Sequence, residues 1–169
     1  MKKTILRYAL YSSSTICVLF LLSWFLGKDL NYEMQEVLGY TSMIISLSFI
    51  YFGIRYFRDQ KNDGKIGLYK GLLIGVLISL LTALAFGILD MVYIKFINPD
   101  FLAEYYDATI EKMQTTLPPD ELKLELAKME SQKELFSSPI MNFFIMFLTV
   151  FIIGFIISLI SAFTLQRKN

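Results

Sequence analysis

Four long apolar segments dominate this chain and leave it few folds to choose from. A helix crossing a bilayer needs roughly 20 apolar residues, because it rises 1.5 Å per residue through a hydrocarbon core about 30 Å thick. Segments near 8–26, 37–56, 66–97 and 139–165 meet that requirement. Backbone groups in lipid find no water, so spans of this length satisfy their hydrogen bonds internally, as helices. The predicted fold class is all-α: a polytopic membrane protein, a four-transmembrane-helix bundle forming one membrane domain over 1–169. Composition agrees, since 55% of the 169 residues are hydrophobic, above the share usual in soluble domains.

The first span has the basic start and apolar run of a secretory signal, but no small-x-small cleavage site follows it. Its exit reads Ser23-Trp24-Phe25-Leu26-Gly27-Lys28. A lipoprotein reading at Cys17 also fails, because Ile16 stands where that signal requires a small residue. The segment is expected to be a retained anchor.

Charge placement orients the spans, because lysine and arginine concentrate in cytoplasmic loops. The start carries Lys2, Lys3 and Arg7, the loop after span two Arg55, Arg58, Lys61, Lys65 and Lys70, and the tail Arg167 and Lys168. The alternate connections are acidic. In the first, Lys28 meets Asp29, Glu33 and Glu36. In the second, Asp100, Glu104, Asp107, Glu111, Asp120, Glu121, Glu125, Glu130 and Glu134 outnumber Lys112, Lys123, Lys128 and Lys133. Both termini are therefore expected in the cytoplasm.

The second acidic connection, about 98–138, reads as an extracytoplasmic helical hairpin between spans three and four. Asn98 suits a helix N-cap and Pro99 the first helical position. Leu102, Tyr105, Tyr106, Ile110 and Met113 follow at helical spacing, and Pro118-Pro119 starts a second helix with Leu122, Leu126, Met129 and Phe136 on one stripe. Glu121, Glu125, Glu130 and Glu134 read as a solvated face with lysine partners at neighbouring turns. No calcium-loop pattern accompanies them.

Lipid supplies no hydrophobic drive between helices, so close backbone approach through small residues decides how they pack. The third span carries Gly67, Gly71, Gly75, Ser79, Ala83 and Gly87 at intervals of four. The second offers Gly39, Ser42, Ser46 and Gly53, and the fourth Gly154, Ser158 and Ala162. Packing within the bundle, with the third helix central, accounts for the stripe most simply; a homodimer face is the alternative. Aromatics such as Tyr8, Tyr11, Trp24, Tyr32, Tyr40, Tyr56 and Tyr93 fall mostly near span ends, as an interfacial belt does.

Asp90 is the one carboxylate inside an apolar run and the candidate polar residue of the bundle. Intramembrane acids commonly mark proton or ion paths. Asp90 lies 20 residues beyond Lys70, about 30 Å along the axis and so close to the outer interface. A structural role is the simpler reading. Arg55, Arg58, Lys61 and Lys65 are candidate contacts for anions or lipid headgroups; an ordinary positive-inside loop is the simpler account there too.

The chain has no histidine and one cysteine. It therefore has no internal disulfide, no Cys/His zinc site and no imidazole chemistry. No nucleophile has an adjacent base, so no enzyme activity, cofactor or metal is expected. The basic loop is too short and too diluted with acids for nucleic acid. The expected partners are the bilayer itself and either other membrane proteins or further copies of the chain.

Several stretches resemble the domain-of-unknown-function 4199 family, small four-helix membrane proteins of Bacteroidetes. They are the run Phe52-Gly53-Ile54-Arg55-Tyr56-Phe57-Arg58-Asp59-Gln60-Lys61-Asn62-Asp63-Gly64-Lys65, then Asn98-Pro99-Asp100-Phe101, Lys133-Glu134-Leu135, and Ser158-Leu159-Ile160-Ser161-Ala162. The resemblance covers essentially the whole chain. It implies an inner-membrane location in such a bacterium and carries no activity with it. Function classes then rank as a membrane scaffold or accessory subunit, an oligomeric small transporter or channel subunit, and last an enzyme.

Overall fold

The computed structural model describes residues 1–27, 30–136 and 138–167, with the backbone alone for 132–136. Lys28, Asp29 and Lys168, used above for orientation, lie outside the described residues, as do the side chains of Lys133, Glu134, Leu135 and Phe136. Among the described residues seven α-helices follow in order: α1 (Lys2–Leu26), α2 (Tyr32–Leu47), α3 (Phe49–Lys61), α4 (Leu68–Val92), α5 (Phe101–Thr116), α6 (Pro119–Phe136) and α7 (Pro139–Leu165). A π-helical turn, Tyr93–Ile97, extends α4. Among the described residues, four stretches are long and apolar enough to cross a membrane: Lys2–Leu26, Tyr32–Lys61, Leu68–Ile97 and Pro139–Leu165.

The helices outrun the apolar segments where capping chemistry allows. The second span begins at Tyr32, not near residue 37, because Asn31 caps it by accepting a hydrogen bond from the Met34 N–H at 2.9 Å. Glu33 in the first turn suits the positive end of the helix dipole. At Ser48 the span is interrupted for a single residue, although its backbone stays helical (φ −60°, ψ −24°). The Ser48 hydroxyl returns a hydrogen bond to the Ile45 carbonyl at 2.6 Å, a competition that serines bring into helix interiors. The third span starts at Leu68, not residue 66, because Ile66 is paired as an antiparallel bridge with Arg167.

Two compact units divide the chain: Met1–Phe86 with Met146–Asn169, and Gly87–Ile145. In the first, α4 touches α1, α3 and α7. Its partner along the whole unit is α7, which runs antiparallel to it. A Cβ placed on Gly71 would stand 3.3 Å from the Ala162 Cβ, and one on Gly75 would stand 2.7 Å from the Ser158 Cβ. At Gly154 it would meet Ser79. Each step of four along α4 is matched by a step of four back along α7. The register ends at the Ile66–Arg167 bridge, where two backbone hydrogen bonds of 3.2 and 2.9 Å join the chains.

The other side of α4 meets α3. The Gly75 position lies 3.1 Å from Ile50, and Gly53 of α3 lies 2.8 Å from Ile78 and 3.1 Å from Tyr8 of α1. Helix α1 contributes Ile5, Ala9, Ser12 and Ile16, one buried stripe at helical spacing, and Phe20 meets Phe86 edge-on at 5.4 Å. Buried hydroxyls are plentiful, and most return to backbone carbonyls. Ser12 donates to Ser46 at 2.8 Å, Ser79 to Phe151 at 3.3 Å, Thr82 to Ile78 at 3.0 Å and Ser158 to Gly154 at 2.6 Å. Leu6, Leu10, Phe25, Leu26, Ile44, Ile152, Phe155, Ile160 and Phe163 face outward. A core of aliphatic side chains interspersed with hydroxyls, under an outer surface of large apolar residues, suits a hydrocarbon surround, not water.

The second unit holds the end of α4, the π turn, α5, α6 and the start of α7. The π turn closes through the Asn98 N–H on the Tyr93 carbonyl at 2.9 Å. Helix cannot continue, because Pro99 drives Asn98 out of the α region (φ −136°, ψ 79°). Asn98 was expected to cap α5, with Pro99 opening it. The structure instead makes Asp100 the N-cap, without a side-chain cap bond, and starts the helix at Phe101. Pro119 opens α6 as expected, and α5 packs beside α6.

These spacings separate glycines that are packed from those that are not. Gly75→Leu should lower stability in lipid or detergent by about 1–3 kcal/mol through overpacking. Gly39→Ala, with no atom within 4 Å of its new Cβ, should be neutral or stabilise by about 0.5–1 kcal/mol. Thermal melts of the two variants against the parent test the contrast.

Candidate functional site

Two places carry polar side chains with a specific arrangement. The first lies where α3 ends and α4 begins, inside the first unit. Asn62, Asp63 and Gly64 make the turn, with Asp63 and Gly64 both at positive φ (52° and 75°). The Gly64 N–H closes it on the Arg58 carbonyl at 2.9 Å and the Lys65 N–H on the Asn62 carbonyl at 3.0 Å. Asn62 also donates to the Lys65 carbonyl and accepts from Lys70 Nζ at 3.0 Å. The Lys70 ammonium sits 5.2 Å from the centre of the Phe57 ring.

Arg58 is the buried member of this corner, 7% exposed. Its Nε and Nη2 donate to the two carboxylate oxygens of Asp59 at 2.6 and 3.1 Å, and Nη1 donates to the Leu165 carbonyl at 3.3 Å. Leu165 is the last residue of α7, whose final carbonyls have no partner within the helix. Arg58 thus places a cation at the negative end of the α7 dipole, and the neighbouring Asp59 balances its charge. Arg55 reaches the same carboxylate at 3.7 Å from an exposed position, and Asp59 also feels the charge of Arg167.

Of the four candidate anion contacts, the structure gathers Arg55 and Arg58 on Asp59, while Lys61 and Lys65 are exposed beyond them. Sequence reading missed the roles of Asp59 and the Leu165 carbonyl. Hydropathy gives no sign that residues 107 positions apart meet.

Asp90 is the second place, in the Gly87–Ile145 unit. It is 5% exposed, and its Oδ2 is buried without a hydrogen-bond partner. One turn before it, the Gly87 Cβ position is 2.9 Å from the Phe143 ring of α7, so only glycine lets these helices approach so closely. One turn after it stands Tyr93, also buried, with Phe101 edge-on at 5.6 Å and Asn98 Nδ2 3.5 Å from its hydroxyl. Asn142 is buried in the same unit and donates to the Ser138 carbonyl at 3.2 Å.

The candidate packing residues divide as follows. Gly71, Gly75, Ser79 and Ala83 are buried in the first unit, Gly87 packs on Phe143 in the second, and Gly67 is exposed with nothing within 4 Å of its Cβ position. On α6, Lys128 pairs with Glu125 at 2.6 Å across one exposed turn. Among the described residues, no group of three or more acidic or cysteine side chains is placed to hold a metal ion.

Long apolar helices enclosing hydroxyls and small residues define the class: an all-helical membrane protein with four candidate spans. The chain belongs to the family described as "Protein of unknown function (DUF4199)", whose model matches residues 7–167. No curated protein and no solved structure matches it.

The corner predicts an ordered loss on substitution. Arg58→Ala should destabilise by on the order of 1–3 kcal/mol, through lost hydrogen bonds to a carboxylate and an uncapped helix end. Arg55→Ala, at an exposed ion pair, should leave the melting temperature within error of the parent. Equal losses for the two would contradict this division of roles.

Proposed function

We propose that this is an integral inner-membrane protein, with both termini cytoplasmic and the α5–α6 hairpin outside, acting as a scaffold or accessory subunit without enzymatic activity. The observation that carries this reading is the closed seam between α4 and α7. The small-residue face of α4 is occupied by Gly154, Ser158 and Ala162 of the same chain. The buried hydroxyls that meet backbone carbonyls there lend no chain of polar groups to a conduit. A domain of this kind keeps its shape in lipid and has the acidic hairpin left to offer a partner. The orientation is supported by lysine and arginine at the start of α1, at the α3–α4 corner and after α7, against acids along α5 and α6.

An oligomeric small transporter or channel subunit is the second reading, and one observation favours it. Asp90 buries a carboxylate oxygen without a partner, an arrangement membrane proteins tolerate mainly where it serves a pathway.

Cross-linking through lysines of α5 and α6 in native membranes, followed by mass spectrometry, tests the choice. A stoichiometric heterologous partner on the hairpin is expected. Only homo-oligomeric products, together with solute flux in reconstituted liposomes, would favour the transporter. A reporter fused after Asn169 should be active only if it works in the cytoplasm; activity confined to an outside-dependent reporter would overturn the orientation.

A further inference from the structure

Asp90 is not explained by packing alone. A carboxylate that helps a helix bundle hold together does so by meeting donors, and here Oδ2 meets none while the residue is 95% removed from solvent. Among the described residues no cation pairs with it. Lys95, a little over one turn on, is exposed, with its ammonium 5.3 Å from the centre of the Phe96 ring.

On the helix of Asp90 itself Tyr93 is within electrostatic reach, and Glu104 of α5 acts on the same tyrosine. The stretch of α7 in this unit, Pro139 to Ile145, carries no titratable side chain. An ionised Asp90 would leave an uncompensated charge in an apolar helix. The neutral acid leaves only one unpaired polar group, a severalfold smaller cost. The backbone beside it is irregular as well, because the π turn begins three residues later, and π segments cluster at functional positions.

We propose that Asp90 is a proton-binding site within the third span, its carboxyl group taking up a proton at Oδ2 and releasing it reversibly. The step forms one O–H bond and breaks none in the protein; the charge of the site changes from −1 to 0. The site stands whether the protein is a scaffold or a transporter. A scaffold could use it to sense proton concentration, a transporter to couple to it.

Infrared spectroscopy of the full chain in lipid vesicles tests this directly, because a protonated carboxyl absorbs apart from carboxylates. A carboxylic acid in free contact with water ionises well below neutral pH and gives no such band. The parent should show a protonated-carboxyl band at pH 7 that Asp90→Asn removes, and raising the pH should abolish it reversibly. Asp90→Asn should melt within error of the parent, since asparagine resembles the neutral acid. If that variant does not accumulate folded, Asp90→Glu, which keeps a carboxyl group at the site, should retain the band at a shifted frequency, and an unshifted band would assign it elsewhere and overturn the proposal. No band at pH 7 in folded parent protein would overturn the proposal, as would a band that persists unchanged to the alkaline limit of folding. In the first case, a melting temperature raised by sodium or potassium would name a metal cation as the ligand instead.

Discussion

The fold depends on how closely α4 and α7 approach. Two helices in lipid gain nothing by hiding apolar area from each other, since hydrocarbon surrounds them anyway. What remains is van der Waals contact and hydrogen bonding, and both grow as the backbones come nearer. Gly71, Gly75 and Ser79 on one helix against Ala162, Ser158 and Gly154 on the other remove the side chains that would hold them apart. The Ser79 hydroxyl then reaches the Phe151 carbonyl across the seam. With α4 committed to α7 on one face, α3 takes another through Gly53, and α1 packs over α3 through Tyr8.

The seam needs a stop at its end, which the α3–α4 corner supplies. Ile66 and Arg167 pair backbone to backbone where the two helices finish, and Arg58 caps α7 from below at Leu165. Asp59 keeps Arg58 from being a lone buried charge. Removing one member of such a set costs more than the set contributes, because the partner is left uncompensated. The segment that looked most like a lipid-headgroup loop is therefore also the fastening of the helix ends. Arg55, Lys61 and Lys65 remain on its outer side.

Much of this architecture was legible in the sequence, for physical reasons. Apolar length sets the spans, so all four stretches were found, and the proline pair at 118–119 marked the break between α5 and α6. Helix ends were harder. Asn31 extends the second span back to Tyr32 through a single side-chain bond, which hydropathy ignores. At Asn98-Pro99 two rules competed: the pair reads as a helix start, but proline's restriction on the residue before it prevailed and ended the π turn instead. The stripe of small residues on α4 was visible at once. That its steps of four run in register with α7 depends on how distant segments meet, and a single sequence does not print that. The same holds for the Arg58–Leu165 contact, whereas the burial of Asp90 could be anticipated only as a helix face shared with Gly87.

Disulfide trapping of that register tests the account most directly. In a Cys17→Ala background, cysteines replacing Gly71 and Ala162, whose Cβ positions lie 3.3 Å apart, should cross-link within one chain under mild oxidation. A pair slipped by one turn, replacing Gly71 and Ser158, should cross-link poorly. The account predicts a monomeric product for the first pair, cleaved by reductant. Disulfide-linked dimers in its place, or preferential linkage of the slipped pair, would contradict it.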